Sequence, residues 1–312
     1  MIAAVTGGTG FLGSALTRRL EERGDQVRVV ARSRGHDITQ PETLRGLFQD
    51  VEMIFHLAAL VQSRPGPFDE TNKTGLENVL EASLQSEVKR LIYVSSFTVF
   101  GPSGRAIHSE ETLPGERTHF FHDYERSKFE ALQIARSWRS KIPMNIVYPT
   151  VVFGPGPMTE GNMIVRLLVR WFRLGLAPLP GRGYPQWNFV YIEDVVEGLL
   201  SVADAFPEKD YILGGENLSL AELVDILNAV SVKHIWPLGL PNWLFRISCH
   251  GEDLFSRLFR FAPLVLPKTG EFLLKNWQFS SLKAKSELGY RPRPLEEALR
   301  QTYQWMRRNR II

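Results

Sequence analysis

The chain has 312 residues, 44% apolar and 23% charged, enough for one large globular domain or two packed together. Its net charge of +3, with no long basic stripe interleaved with aromatics, argues against nucleic acid and suits an anionic small molecule such as a nucleotide. A lone cysteine, Cys249, excludes an internal disulfide, and with no basic leader and no apolar run of bilayer length a cytoplasmic protein without a transmembrane segment is expected.

In chain order, "IAAV" (2–5) reads as a strand and residues 11–23 as a helix. "QVRVVA" (26–31), "EMIFHLA" (52–58), "RLIYVSS" (90–96) and "MNIVYPT" (144–150) are further strands, separated by helix-like periodicity over 41–48, 70–86 and 124–139. Such alternation predicts an α/β fold, a doubly wound parallel sheet covered on both faces. Residues 154–187 break the pattern with Gly, Pro and aromatics. "FVYIEDVVEGLLSVAD" (189–204) returns to strand and helix, and "YILGG" (211–215) is a strand. "SLAELVDILNAV" (219–230) is a helix opened by a capping box of Ser219 and Glu222, and "LEEALRQTYQWMRR" closes the chain. Residues 1–155, rejoined by 188–204, should form a dinucleotide-binding domain; 156–187 and 205–312 should form a smaller C-terminal substrate-binding lobe.

"AVTGGTGFLGSALTRRL" sets a glycine-rich turn between the first strand and the first helix. Gly7, Gly10 and Gly13 are three apart, and Gly8, Gly10 and Gly13 satisfy G-x-G-x-x-G. Glycines permit the tight turn and a close pyrophosphate, which the helix N-terminus attracts. The second strand ends "VVARSRG", with no acid before Asp37 to take a ribose 2′-hydroxyl. Arg32, Ser33 and Arg34 suit a 2′-phosphate instead, so NADP(H) is the expected cofactor and NAD the alternative. The competing reading is an exposed basic loop.

"DYERSKFEAL" (123–132) places Tyr124 and Lys128 one helical turn apart on a shared face. Alone, that pair is no more than a half-exposed tyrosine near a lysine. It stands, however, in order with "TGGTGFLG" (6–13), "HLAA" (56–59), "NKTGLENVLEA" (72–82), "YVSSFTVFG" (93–101), "YPTVVFGPG" (148–156) and "NFVYIEDV" (188–195). Over nearly its whole length the chain resembles the extended short-chain dehydrogenase/reductase family of NAD(P)-dependent epimerases and dehydratases. The resemblance implies a Rossmann-type fold with Tyr124 as general acid/base, Lys128 as its partner and Ser96 orienting the reacting oxygen, with Thr98 nearby as a substrate contact. It also implies cofactor contacts from Gly7, Gly10, Phe11, Leu12, Gly13, Arg32, Ser33, Asp37, Ile38, Ala58, Asn72, Tyr124, Lys128 and Pro149. A free phenol has a pKa of about 10, and a nearby ammonium would lower it. Relatives pair as homodimers through the helices at 70–86 and 124–139, which is the expectation here.

Two departures stand out. The segment between the second strand and Asp37 is short, so that side of the sheet should be trimmed. Where nucleotide-sugar enzymes often place an arginine, this chain has Trp187 in "YPQWNFVYIED", with Arg182 in the preceding loop as a substitute. An indole cannot neutralise a diphosphate but can cover an apolar ligand. The C-terminal segments resemble dihydroflavonol-reductase-like and hydroxysteroid-dehydrogenase-like members. The first functional reading is therefore a reductase or dehydrogenase of a secondary alcohol/ketone pair. The alternative is a nucleotide-sugar epimerase or dehydratase with tightly held NAD, and a dinucleotide-sensing protein ranks third because Tyr124 and Lys128 are kept. His56 reads as a buried strand residue, and His119, His122 and Asp123 as solvated loop, so no metal is assigned.

Overall fold

The computed structural model of the chain describes residues 1–61, 65–259 and 267–312. Its first half runs β1 (Ile2–Thr6), α1 (Phe11–Glu22), β2 (Gln26–Val30), β3 (Met53–His56), α2 (Gly75–Gln85), β4 (Arg90–Val94), α3 (Asp123–Ser137) and β5 (Met144–Pro149). The second half continues β6 (Val151–Phe153), α4 (Met163–Leu174), β7 (Leu176–Leu179), β8 (Gln186–Tyr191), α5 (Ile192–Asp204), β9 (Asp210–Leu213), β10 (Glu216–Ser219) and α6 (Leu220–Val230). β11 (Trp236–Gly239), α7 (Asn242–Phe259), α8 (Pro267–Leu273), α9 (Leu282–Leu288) and α10 (Leu295–Arg308) complete it.

Six parallel strands form one sheet in the order β2-β1-β3-β4-β5-β9. Its central strands are apolar on both faces: every residue of β3 and β5 is buried, as parallel strands covered by helices must be. α1 and α5 pack together over one face, with Leu16, Leu20, Val195 and Leu199 in its core; α2 lies over the other with Leu76, Val79 and Leu80. The chain steps outward from β1 to β2, then crosses to β3 on the opposite side. That reversal opens a crevice beyond the carboxyl ends of β1 and β3, the place where open α/β sheets hold ligands.

β2 is an edge strand, and the helix expected over 41–48 is absent. Pro41–Leu44 makes a single 3-10 turn, and Gly46, at φ 68, prevents its continuation. The apolar spacing serves a different end, because Leu44 and Phe48 are 1% and 0% exposed and plug the sheet beside its edge. The Gly- and Pro-rich stretch after residue 154 contains a regular helix, α4, that its flanks obscure. Ile164, Val165, Leu168, Val169, Trp171 and Phe172 recur at helical spacing and are buried, and Gly175 at φ 67 ends the helix.

β6, β8 and β10 form a three-stranded sheet, and β7 pairs with β11. Asn188 on β8 is fully buried and knots these pieces together. Its carboxamide oxygen accepts from Thr150 Oγ1 at 2.8 Å and Gly215 N–H at 2.9 Å, and its amide donates to Asn217 Oδ1 at 2.9 Å and Phe279 O at 3.2 Å. One continuous apolar core runs from beneath α2 and α3 through to α4, α6 and α10. Among the described residues, no helix is long and apolar enough to cross a membrane.

Candidate active site

The glycine turn lies at the mouth of the crevice. Gly7 has φ +70, and a Cβ there would sit 2.8 Å from the N of Ala58, two residues past the end of β3 on the other wall. A Cβ at Gly13 would lie 2.1 Å from Gly7 O, so glycine is what lets α1 start against the turn. Gly10 caps α1 without a side-chain hydrogen bond, and the first turn carries no acid. The early amides of Phe11, Leu12 and Gly13 therefore stand at a positive helix end that suits a diphosphate.

Arg32 and Ser33 occupy an exposed 3-10 turn (Arg32–Arg34) just after β2, where Ser33 Oγ donates to Thr9 Oγ1 of the glycine turn at 3.3 Å. The Asp37 carboxylate is engaged locally, its Oδ1 accepting from the N–H and hydroxyl of Thr39 at 3.0 and 2.9 Å. Ile38 is buried under α2, with its Cδ1 only 2.7 Å from where a Gly75 Cβ would be. Ala58 N–H donates to Thr6 Oγ1 at 3.2 Å, and that hydroxyl also pairs with His56 Nδ1 at 2.8 Å. Burial and the nearby Lys128 push the His56 imidazole down to about 3, so it stays neutral and structural. Pro149 ends β5, buried beside Leu213.

Tyr124 and Lys128 share the inner face of α3, as their spacing predicts. Ser96 caps the 3-10 turn Phe97–Phe100 after β4, and its Oγ accepts from Thr98 N–H at 3.3 Å and Thr98 Oγ1 at 3.0 Å. The Ser96 hydroxyl stands next to the Tyr124 phenol and favours its ionised form. Burial nonetheless leaves the phenol above the ordinary tyrosine value, with Ser96 pulling it partway back. This differs from the depression expected from a neighbouring ammonium. The reason is where the amine goes: Lys128 Nζ donates to Val94 O at 3.0 Å and lies 5.0 Å over the Tyr93 ring. Desolvation lowers Lys128 itself to about 7.

Asn72 lies in a π-helical turn, Glu70–Thr74, that runs into α2. Its Oδ1 accepts from Leu60 N–H at 2.7 Å and its Nδ2 donates to Ser127 Oγ at 2.9 Å. Ser127 Oγ in turn donates to Tyr124 O at 2.9 Å. The turn thus straps the chain beyond β3 to the helix that carries Tyr124. A π-turn at such a junction is a costly geometry that the surrounding contacts hold in place.

Aromatic rings surround this centre. Phe68 and His122 lie 6.4 and 6.1 Å from the Tyr124 ring, and Phe272 of α8 lies 5.3 Å from His122. His122 also caps α3 by accepting from Glu125 N–H at 3.3 Å. Trp187 does not line the site. It is 1% exposed, its indole N–H donates to Lys275 O at 3.1 Å, and it meets Phe272 edge-on at 5.4 Å. Arg182 is exposed in a left-handed turn against β11, its N–H donating to Leu240 O at 2.9 Å. Arg117 and Glu125, which the sequence reading passed over, form a buried ion pair next to Tyr124. The only linear hint was an acid inside "YERSK", since the facing arginine comes eight residues earlier from an irregular loop.

Known proteins share this architecture. A Synechocystis sp. protein that carries a dihydroflavonol 4-reductase name is 27% identical over 99% of this chain and 95% of its own length. A 3 beta-hydroxysteroid dehydrogenase/Delta 5→4-isomerase of Mycobacterium tuberculosis is 27% identical over 92% of this chain and 85% of that protein. The crystal structure of Thermus thermophilus UDP-glucose 4-epimerase in complex with NAD has the same fold, with a TM-score of 0.78 and 23% identity over 98% of this chain and 99% of that one. The model of the NAD dependent epimerase/dehydratase family matches residues 3–214, from the first strand of the parallel sheet to just past the strand at its far edge. By that match this chain belongs to the NAD dependent epimerase/dehydratase family and is an enzyme.

Proposed function

We propose that the protein transfers a hydride between NADP(H) and a secondary alcohol/ketone pair on a largely apolar substrate, with Tyr124 as proton donor and acceptor. The observation that carries this reading is the meeting of Tyr124 and Ser96 beside Lys128, with the rings of Phe68 and His122 next to the phenol. The glycine turn fits a diphosphate, because side chains there would collide with Ala58 and Gly7. Arg32 and Ser33 would take a 2′-phosphate, while the first acid after β2, Asp37, is already engaged with Thr39. When bound, the dinucleotide supplies or accepts the hydride.

The chain's own residues handle the proton. The Tyr124 phenol gives its proton to the carbonyl oxygen during reduction and takes it back from the alcohol in the reverse direction. Ser96, already turned toward that phenol, donates a hydrogen bond to the same oxygen and fixes its position. Lys128, one helical turn from Tyr124 with its amine on Val94 O, would hold ribose hydroxyls of the bound dinucleotide. The curated relatives named as a dihydroflavonol reductase and a hydroxysteroid dehydrogenase support an apolar alcohol or ketone.

A nucleotide-sugar epimerase or dehydratase is the second reading, favoured by the fold shared with UDP-glucose 4-epimerase. Incubation with NADPH and a panel of steroid and long-chain ketones, and separately with UDP-glucose, distinguishes the two. Net NADPH consumption with an apolar ketone is expected, and Tyr124→Phe should lower kcat by about 10²–10⁴ with NADPH affinity little changed. Sugar conversion without net NADPH use, with NAD retained through purification, would replace this reading with the second.

A further inference from the structure

We infer that Arg117 and Glu125 are positioning residues that hold Ser96 and Tyr124 in register with each other. This rests on the proposed role of that pair, although its test does not require a substrate. Glu125 follows Tyr124 in the first turn of α3, and its side chain is fully buried. One carboxylate oxygen accepts from Arg117 Nη2 at 2.7 Å and the other from Phe121 N–H at 2.7 Å. Arg117 Nη1 donates to Thr98 O at 2.7 Å, and Nη2 donates also to His119 O at 3.0 Å. The guanidinium lies 4.6 Å from the Phe120 ring centre, and its own side chain is 10% exposed.

Three segments therefore meet on one fork. Thr98 sits in the turn whose cap is Ser96, Phe121 leads into the cap of α3, and Glu125 adjoins Tyr124. The arrangement costs the desolvation of two opposite charges, and an apolar pair of similar volume would generally be no less stable. What an apolar pair could not do is satisfy Thr98 O, His119 O and Phe121 N–H together while fixing the spacing between the two turns. The planar fork sets that spacing. The approach of the Ser96 hydroxyl to the Tyr124 phenol is the geometry that depends on it.

The test follows Tyr124 itself, using ring-labelled tyrosine and NMR on the full chain saturated with NADP⁺, with Tyr124→Phe assigning the signal. The titratable groups around the phenol are Lys128 on its own helix, His122 at the cap and Tyr93 on β4. In Glu125→Gln, one acceptor remains for two donors, so the fork opens. The Tyr124 midpoint should then rise by about half a unit to one unit, toward that of Ser96→Ala, and the double variant should add little to Ser96→Ala alone. Arg117→Lys, which keeps the charge but loses the fork, should shift it the same way if Glu125→Gln fails to fold. A purely structural pair would lower the melting temperature and leave the midpoint where it was. An unchanged midpoint in a folded variant, beside a shifted one in Ser96→Ala, overturns the inference. Failure of the ketone assay with a shifted midpoint would instead count against the proposed substrate and leave the positioning role standing.

Discussion

At the scale of single residues, Lys128 shows how burial redirects a charge. Spacing along α3 sets it on the face it shares with Tyr124, yet its amine reaches back to Val94 O and the Tyr93 ring. Its folded pKa of about 7 lies below the ordinary 10.5, so between these values the unfolded chain binds the extra proton. Stability of the ligand-free protein should therefore rise as pH climbs from about 7 toward 10.5, and below 7 the penalty of burying the charge is fully present. Thermal unfolding across that range should show the slope, and Lys128→Met should flatten it. A slope that survives the substitution would assign it to other groups. At the crevice rim, Arg32→Ala should weaken NADP(H) binding by about tenfold to a hundredfold while barely changing NAD(H), as loss of a charge-assisted phosphate contact requires. Equal loss for both dinucleotides, read by fluorescence titration, would remove Arg32 from the 2′-phosphate site.

At the scale of elements, the glycine turn and the π-turn both depend on tightly constrained backbone geometry. Gly13→Ala would put a methyl group 2.1 Å from Gly7 O, so the turn must open. A loss of roughly 2–4 kcal/mol is expected by denaturant titration, together with weaker dinucleotide binding. Asn72→Ala leaves Leu60 N–H without its partner and releases Ser127 from the π-turn, for a cost of about 1–3 kcal/mol. Hydrogen exchange should then quicken at Leu60 and through the first turn of α3; unchanged exchange would mean the strap is not what holds them. The strand–helix alternation of the first half was readable because strand and helix periods differ and parallel strands are apolar throughout. Residues 41–48 misled because an amphipathic spacing does not say whether its apolar face belongs to a helix or to a plug at a sheet edge.

At the scale of the whole molecule, Phe272 of α8 joins the C-terminal part of the chain to the rings beside Tyr124. Its ring centre lies 4.3 Å from that of Trp277, tilted by 31°, 6.3 Å from Phe97 and 5.3 Å from His122, while the residue is only 5% exposed. Phe272→Ala should cost about 3–5 kcal/mol. Because the core is continuous, sheet and lobe should still unfold in one transition, with tryptophan fluorescence and circular dichroism coinciding. Two separated transitions would show that the lobe is an independent unit.

Much of this protein was decided by order along the chain. The glycine turn, the Tyr124–Lys128 spacing and the alternation of strands are local patterns, fixed by dihedral freedom and helical pitch, and they sit in the structure where the linear reading put them. The tertiary structure alone decided which charges are buried against which carbonyls. It drew Trp187 inward to Lys275 O, left Arg182 in solvent, and brought Arg117 from a loop onto Glu125 and Thr98. Contacts of that kind join segments with no shared period, and their strength comes from the desolvated interior that only the folded chain provides.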